Sequence, residues 1–364
     1  MNTIFRAGCR PKNFSMFLNT IKDEILPALC SEIPCGFWSG VTRINPLIAY
    51  YHTVSNEDIP HVKHLYTFRN VAQFKMDIDA FCKQFRPIGL HDLLENMKTR
   101  RPLPRNSILL TFDDGLSEIF HVIAPILREK GVPATFFLTT ACLDNKDMAH
   151  HNKISILVER VSEKQSGLVE KEALEVLSQY GNKKDDVRTA LLQLDYRERE
   201  AVARIAQLLD VDFNAYLSTR QPYLTSEQVR QLIKMGFTIG GHSVDHPLYA
   251  TLSLEEQLSQ TTASVRIVRD RFSLSYGAFA FPHGDQGVSA RFFSNLFSGT
   301  DVDISFGTRG LLRETIPQHF QRFSMENTSA PAERVVARNY ARGFYKKLIG
   351  RAIVDRNSPE LQRS

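Results

Sequence analysis

The chain has 364 residues, enough for one large domain with insertions or for two domains, and its 43% hydrophobic and 23% charged residues are ordinary for a soluble globular protein. Its 45 lysine and arginine residues exceed its 40 acidic residues by too few to indicate a nucleic-acid-binding protein. No stretch approaches the ~18 consecutive apolar residues of a membrane span, and charged side chains interrupt the region where a signal peptide needs an apolar core. We therefore expect a cytoplasmic protein.

The five cysteines include no C-x-x-C pair and leave one without a partner. This argues against a zinc ribbon and against a disulfide framework. A reducing compartment is the simpler interpretation.

The first part of the chain alternates between strand and helix patterns. The predicted elements are a strand ending at His52, helices from Val71 and over residues 91–100, a strand at 109–112, a helix over 117–130 and a strand at 132–139. The last three make a β-α-β unit with a crossover helix.

Residues 142–222 are charged and helix-forming, and they predict a helical insertion. Alternation then resumes with a helix begun by Thr225, the strand 237–241, a helix begun by Ser253, the strand 276–281, the helix 288–297 and the strand 303–307. This pattern predicts a β/α barrel or a doubly wound sheet. We divide the chain into an N-terminal extension (1–44), a barrel (45–330) and a basic C-terminal segment (331–364).

Two aspartates, Asp113 and Asp114, come directly after the predicted strand at 109–112, and Gly115 permits a tight turn there. The carboxyl ends of strands are where α/β proteins build their sites. Two crowded carboxylates share either a proton or a cation. The alternative is an Asp-Gly turn beside a helix cap.

Two histidines, His242 and His246, stand four residues apart directly after another predicted strand. They could hold a common ion if the chain makes a helical turn there. Together with Asp114 they would form a ligand set that suits zinc and leaves positions open for water. The alternative is a polar loop with two unrelated histidines.

The stretches "TFDDG" and "HSVDH" resemble the first two motifs of the polysaccharide deacetylases of carbohydrate esterase family 4, the NodB-homology domain. "FPHG" at 281–284 stands where that family has its third motif, and "YHTV" resembles a strand end of its extracellular-polysaccharide branch. The resemblance covers residues 45–330 apart from the insertion. It implies an α/β fold, a deformed (β/α) barrel with a helical insertion.

The resemblance also implies one divalent metal ion, usually zinc, held by Asp114, His242 and His246. Asp113, free of the metal, can then take the proton of the attacking water. A metal is useful because an amide is a poor electrophile, and a cation polarises its carbonyl and lowers the pKa of water. A backbone N–H in the stretch from Pro282 to Gly284 would hold the oxyanion.

The sequence departs from the family in its third motif and in its general acid. Ala280 replaces the arginine that orients the base, and no Leu-x-His follows the last strands. The candidates for the acid are His319, His283 and His52, each of which could instead be a hydrogen-bonded structural histidine. We favour His319, because it follows the final predicted strand, where the family places its acid.

Three further polar residues, Asp285, Arg322 and Glu326, lie at presumed strand ends. Arg322 could replace the missing arginine by pairing with Asp113, or it could form a plain surface salt bridge. The basic, aromatic-containing C-terminal segment is compatible with peripheral contact to an anionic membrane. A solvated helix docked on the barrel is the competing interpretation.

The first functional hypothesis is a metal-dependent N-deacetylase acting on an N-acetylated glycan, with no nucleic acid as partner. The second is a glycan-binding pseudoenzyme that keeps the metal site; the missing Leu-x-His favours it, and the intact Asp113 argues against it. The third is a metal-dependent phosphohydrolase. The sequence argues against it, because it has no further acidic motif for a second metal site and no Gly-rich loop for a phosphate.

Overall fold

The computed structural model describes residue 33 and residues 35–42, 44–164, 166–181 and 184–356. Within these residues nine strands form one sheet, and all neighbouring strands are parallel. The strands are β1 (Leu47–Tyr51), β2 (Arg86–Pro87), β3 (Ser107–Phe112), β4 (Ala134–Leu138), β5 (Thr238–Gly241), β6 (Ala278–Ala280), β7 (Ile304–Gly307), β8 (His319–Gln321) and β9 (Phe323–Ser324).

The row of strands is nearly closed into a barrel. Its order is β8, β7, β6, β5, β4, β3, β1, β9, with β2 beside β3. Only Arg322 separates β8 from β9, yet β8 pairs with β7 at one end of the row and β9 pairs with β1 at the other. The stretch from β8 to β9 therefore connects the two ends of the row of strands. The fold is a deformed parallel (β/α) barrel, which confirms the predicted fold class.

Helices flank the barrel and connect its strands. In the described part of the chain they are α1 (Cys35–Thr42), α2 (Val71–Gln84), α3 (Leu90–Thr99), α4 (Ala124–Glu129), α5 (His150–Lys164), α6 (Gly167–Ser178), α7 (Val187–Leu192), α8 (Arg199–Leu209), α9 (Phe213–Arg220), α10 (Ser226–Lys234), α11 (Leu254–Phe272), α12 (Ala290–Gly299) and α13 (Ala332–Leu348). As predicted, Thr225 caps α10 and Ser253 caps α11, each within a capping box.

The helix predicted over 117–130 is irregular. A π-helical turn, Ile119–Ile123, precedes α4, and Pro125 lies in the first turn of α4. Proline has no N–H to donate to the carbonyl four residues earlier, so a regular helix cannot run through this position.

The segment between β4 and α10 is helical, as predicted, and carries α5 to α9. These helices pack around an apolar cluster of their own, whose fully buried members include Leu157, Leu177, Leu191, Ile205 and Leu209. The division of the chain at residues 44 and 330 stays a prediction. Most of the predicted N-terminal extension lies outside the described residues.

The C-terminal helix α13 docks on the barrel. Val336 and Tyr340 are buried, and the Tyr340 ring stacks on Trp38 of α1 with 5.9 Å between the ring centroids. This is the docked arrangement considered above, and membrane contact by the same segment stays a prediction. None of the described helices is both long and apolar enough to span a membrane.

The carboxyl ends of the strands lie at one edge of the barrel and carry the residues with candidate chemistry. Tyr51 at the end of β1 is paired with Phe112 at the end of β3, so the residues that follow them, His52 and Asp113, lie side by side at this edge. His242 follows β5, which is two strands away from β3. In α/β folds this edge is where ligands bind.

Candidate active site

The two aspartates follow β3 in a tight turn. The Asp113 N–H donates to the Tyr51 carbonyl at 2.9 Å and extends the strand pairing by one residue. Asp114 and Gly115 then adopt left-handed backbone conformations, with φ of 71° and 74°. This conformation is unfavourable for aspartate, and such strained positions concentrate at functional sites. The turn gives each carboxylate its own partners.

Asp113 is paired with Arg322, the residue at which the barrel closes. The guanidinium donates from Nη1 to Asp113 Oδ1 at 2.7 Å and from Nη2 to Oδ2 at 2.8 Å. It also donates from Nε to the Gly307 carbonyl at 3.2 Å and lies 4.9 Å from the centroid of the Tyr50 ring. Both side chains of the pair are buried. Arg322 therefore makes the pair with Asp113 that the sequence suggested, and because both side chains are buried the surface-salt-bridge interpretation is wrong.

Asp114 lies among the histidines predicted as its partners. Asp114 Oδ1 is 3.4 Å from His242 Nε2 and 3.1 Å from His246 Nε2, and all three residues are buried. The expected helical turn is absent: Ser243 and His246 have φ of 65° and 62°, so a loop brings the imidazoles together. Nδ1 of His242 is 2.8 Å from the Ala280 carbonyl, which assigns its proton to Nδ1 and leaves the Nε2 lone pair facing Asp114.

The pKa shifts in this cluster, and its buried atoms without hydrogen-bond partners, fit a divalent cation. Burial alone would raise the pKa of Asp114, but His246, His151 and His242 hold that pKa well below its ordinary value. Burial and the neighbouring His151 lower the pKa of His246. Metal ligands must be deprotonated, and both of these pKa shifts favour the deprotonated form. Asp114 Oδ1 and His242 Nε2 are buried without a hydrogen-bond partner among the described residues, as expected of atoms that would bind a cation.

The helical segment contributes a histidine that the sequence analysis missed. Nε2 of His151, in the first turn of α5, is 3.8 Å from Asp114 Oδ2, and its ring centroid is 4.2 Å from that of His246. The His283 ring also lies against His246, with 4.5 Å between centroids, and its centroid is 5.9 Å from that of His151. Only the histidine pair in "AHHN" marks this position in the sequence, and no motif surrounds it.

His52 is held by Glu326, a residue just beyond β9. Glu326 Oε1 accepts the N–H of His52 at 2.8 Å and that of Thr53 at 3.2 Å, and Oε2 lies 2.5 Å from His52 Nδ1. Burial alone would lower the pKa of His52, but the Glu326 carboxylate outweighs it and raises this pKa to about 9. This raised pKa favours the imidazolium form of His52 at neutral pH, in which Nε2 carries a proton.

The structure does not bring His319 to this site. It does not follow the last strand but begins β8, so it lies a strand length from the carboxyl edge. Its side chain is fully buried, bound to Ser305 Oγ at 2.7 Å and Asp285 Oδ2 at 3.1 Å. A histidine enclosed in this way cannot reach a substrate, so the geometry contradicts its choice as the general acid.

The stretch predicted to hold an oxyanion also needs correction. Pro282 has no N–H, and Gly284 donates its own N–H back to the Pro282 carbonyl at 2.5 Å. Neither residue can therefore offer a backbone donor to a substrate. The N–H between them belongs to His283, whose φ of 57° is again left-handed.

Comparisons with known proteins agree with this fold. The polysaccharide deacetylase family model matches residues 100–295, more than half of the chain. The chain therefore belongs to the polysaccharide deacetylase family. It is accordingly a carbohydrate deacetylase, and its substrate is an acetylated glycan.

Two solved structures share the fold. The Streptococcus pyogenes deacetylase PplD in complex with acetate has 12% identity and a TM-score of 0.50, with 80% of this chain and 96% of that chain covered. A de-N-acetylase from Aggregatibacter actinomycetemcomitans has 13% identity and a TM-score of 0.51, with 81% and 98% covered. No curated protein sequence matches the chain.

Proposed function

We propose that the protein is a metal-dependent hydrolase that removes N-acetyl groups from amino sugars of a polysaccharide or its precursor. The observation that carries this proposal is that the two adjacent aspartates have different partners. Asp113 has both oxygens on Arg322, whereas Asp114 points at His242 and His246.

Asp114, His242 and His246 would hold the metal, and their one carboxylate and two imidazoles suit zinc. When bound, the cation polarises the amide carbonyl and lowers the pKa of a water molecule. The Ala280 carbonyl fixes the ring of His242, as the outer hydrogen bonds of metal-binding histidines do. His151 lies beside these residues and is not required for the ligand set.

Asp113 acts as the general base and takes a proton from the attacking water. Arg322 contacts both of its oxygens and fixes the plane of the carboxylate, which is the task of the arginine that Ala280 replaces. Arg322 is thus a positioning residue that acts through Asp113.

His52 acts as the general acid in place of His319. Its imidazolium, held at Nδ1 by Glu326, donates the Nε2 proton to the leaving nitrogen as the carbon–nitrogen bond breaks. The N–H of His283 supplies a donor to the oxygen of the tetrahedral intermediate. Each proton step then has a residue assigned to it.

The pseudoenzyme alternative is not favoured. The argument for a pseudoenzyme was the missing Leu-x-His, which holds the general acid in the family. In this chain His52, held by Glu326, can serve as the general acid instead. A binding module would have no use for a buried, oriented base beside the metal ligands.

Acetate release from a panel of N-acetylated oligosaccharides, with and without added zinc, tests the proposal. Matched O-acetylated oligosaccharides serve as the control for the bond that is cleaved. We expect zinc-dependent release from the N-acetylated set. Release from O-acetyl esters alone, or equal release after complete removal of metal, would refute it.

A further inference from the structure

A groove of about 670 Å³ lies between the helical segment and the loops that carry the proposed metal ligands. Its walls are the start of α5, helices α8 and α9, and the loops after β4 and β5. His150 and Asp245 line the groove. The next residues in the chain, His151 and His246, face Asp114. The groove therefore begins one residue, or ~4 Å along the chain, from the proposed active site.

Asp245 carries an acceptor atom that is not used. Its Oδ2 accepts a hydrogen bond from the hydroxyl of Tyr196 in the helical segment, and that hydroxyl oxygen accepts one from Arg199 Nη1 at 3.4 Å. The Oδ1 atom of Asp245 is buried and has no hydrogen-bond partner among the described residues. Buried carboxylate oxygens are normally hydrogen-bonded, so a donor such as a hydroxyl group is expected at this end of the groove.

The other charged side chains that line the groove have partners within the protein. Lys153 Nζ donates to Asp147 Oδ1 at 2.8 Å. Asp212 accepts the N–H groups of residues 214 and 215 at 2.8 and 3.1 Å, at the positively polarised amino end of α9. Arg199 is joined to Asp245 through the Tyr196 hydroxyl, as described above. Because these charges are compensated, an uncharged polar ligand suits the groove better than an ion.

The remaining lining residues suit a sugar. Tyr196 and Phe213 contribute half-buried aromatic rings, and Gln207 and Asn214 contribute exposed amides. The C–H groups of a sugar ring can pack on an aromatic face, and its hydroxyl groups can bond to amides and carboxylates. The volume of the groove, and its mixture of aromatic rings with a few polar groups, are those of a ligand-binding pocket.

We propose that this groove binds uncharged sugar units that flank the N-acetylated sugar in a glycan chain. Phe213 packs against one of these sugars, and Asp245 Oδ1 accepts a hydrogen bond from a sugar hydroxyl. The helical segment is then a substrate-binding part of the protein, and long neutral glycans are better substrates than short ones. This inference rests on the proposed N-deacetylase function and names its substrate class.

The test compares kcat/KM for the hexamer of N-acetylglucosamine with that for the dimer. The variant is Phe213→Ala, and the matched control is Phe297→Ala, which removes an equally half-buried ring from α12, outside the groove. A second variant, Asn214→Ala, removes only an exposed amide that lines the groove and serves if Phe213→Ala does not fold. Thermal unfolding of each variant checks that it is folded.

We expect the wild-type protein to prefer the hexamer through a lower KM. In Phe213→Ala this preference should fall about tenfold, as expected when one aromatic contact is lost, and in Asn214→Ala it should fall by a smaller factor. Phe297→Ala should keep it. An equal loss in Phe213→Ala and Phe297→Ala, an unchanged preference in both folded groove variants, or no preference in the wild type would overturn the proposal.

Binding measurements separate a failure of this inference from a failure of the proposed function. If no oligomer releases acetate, the proposed function fails, but calorimetric titration of the hexamer into wild type and the groove variants still decides the groove. Weaker binding to Phe213→Ala or Asn214→Ala than to Phe297→Ala supports the inference. No binding of the hexamer to the wild type, or tighter binding of the cationic glucosamine hexamer through the same residues, would overturn it.

Discussion

At the scale of single residues, the buried pair of Asp113 and Arg322 links the stability of the fold to the proposed chemistry. The two side chains come from positions 209 residues apart and are removed from water together. A buried ion pair adds little net stability, but removal of one partner leaves an uncompensated charge.

Arg322→Met should therefore lower the free energy of unfolding by about 3–5 kcal/mol, because the Asp113 carboxylate stays buried without its partner. Urea denaturation measures this change. The double variant with Asp113→Asn should regain part of the loss, because the orphaned charge is gone. Wild-type stability in Arg322→Met would contradict the buried pair.

The pair of His52 and Glu326 leads to a prediction about pH. The pKa of His52 is raised to about 9, so the acid is protonated below that pH and kcat/KM should fall as pH rises through about 9. Glu326→Gln removes the carboxylate that raises this pKa and should move the alkaline limb to lower pH. The measurement is the pH dependence of kcat/KM in both proteins, with metal content as the control. An unchanged limb would exclude His52 as the acid.

At the scale of elements, the sequence predicts what depends on local pattern. The strand before Asp113, the strand before His242 and the caps at Thr225 and Ser253 all follow from apolar runs and short-range spacing. The proposed metal ligands could be predicted because each of them directly follows or lies close to such a strand.

The remaining features depend on contacts between distant parts of the chain. His52 and Glu326 are 274 residues apart, and no local pattern connects them. β8 has three residues, too few for an alternating pattern to be recognised, so the sequence pattern places His319 after the last strand and not at the start of one. His151 was missed because only the packing of the helical segment brings it to Asp114.

The C-terminal segment after α13 is fixed by a buried arginine. Arg356 donates from Nη1 to the Asp285 carbonyl at 3.0 Å and from Nη2 to Glu314 Oε2 at 2.7 Å, and it also contacts the Asp285 carboxylate. Arg356→Met should cost about 3–5 kcal/mol of unfolding free energy, because both carboxylates lose a buried partner.

The exposed Arg351 provides the matched control, since Arg351→Met should change stability by no more than about 0.5 kcal/mol. Denaturant unfolding compares the two variants. Equal small effects would mean that the segment is not anchored through Arg356.

At the scale of the whole molecule, the barrel assembles the site from distant parts of the chain. His52 follows β1, Asp113 and Asp114 follow β3, and Arg322 lies where β8 and β9 close the ring. The site therefore exists only in the folded protein, and a metal that binds it must stabilise the fold.

Zinc should raise the midpoint of thermal unfolding of the metal-free protein. At a free concentration 100-fold above the dissociation constant, the stabilisation would be about 2.7 kcal/mol. His246→Ala should show little of this shift, whereas His121→Ala, which removes an exposed histidine that contacts Gln228, should keep it. A full shift in His246→Ala would show that the metal binds elsewhere.

The central claim is that Asp113 moves a proton and Asp114 holds the metal. Metal content and acetate release, measured on the same preparations of Asp113→Asn and Asp114→Asn, test it most directly. We predict that Asp113→Asn keeps about one metal ion per chain and loses ~10²–10⁴-fold in activity, the usual contribution of a positioned base, whereas Asp114→Asn loses the metal and the activity together. Loss of metal from Asp113→Asn, or full activity in it, would contradict the account.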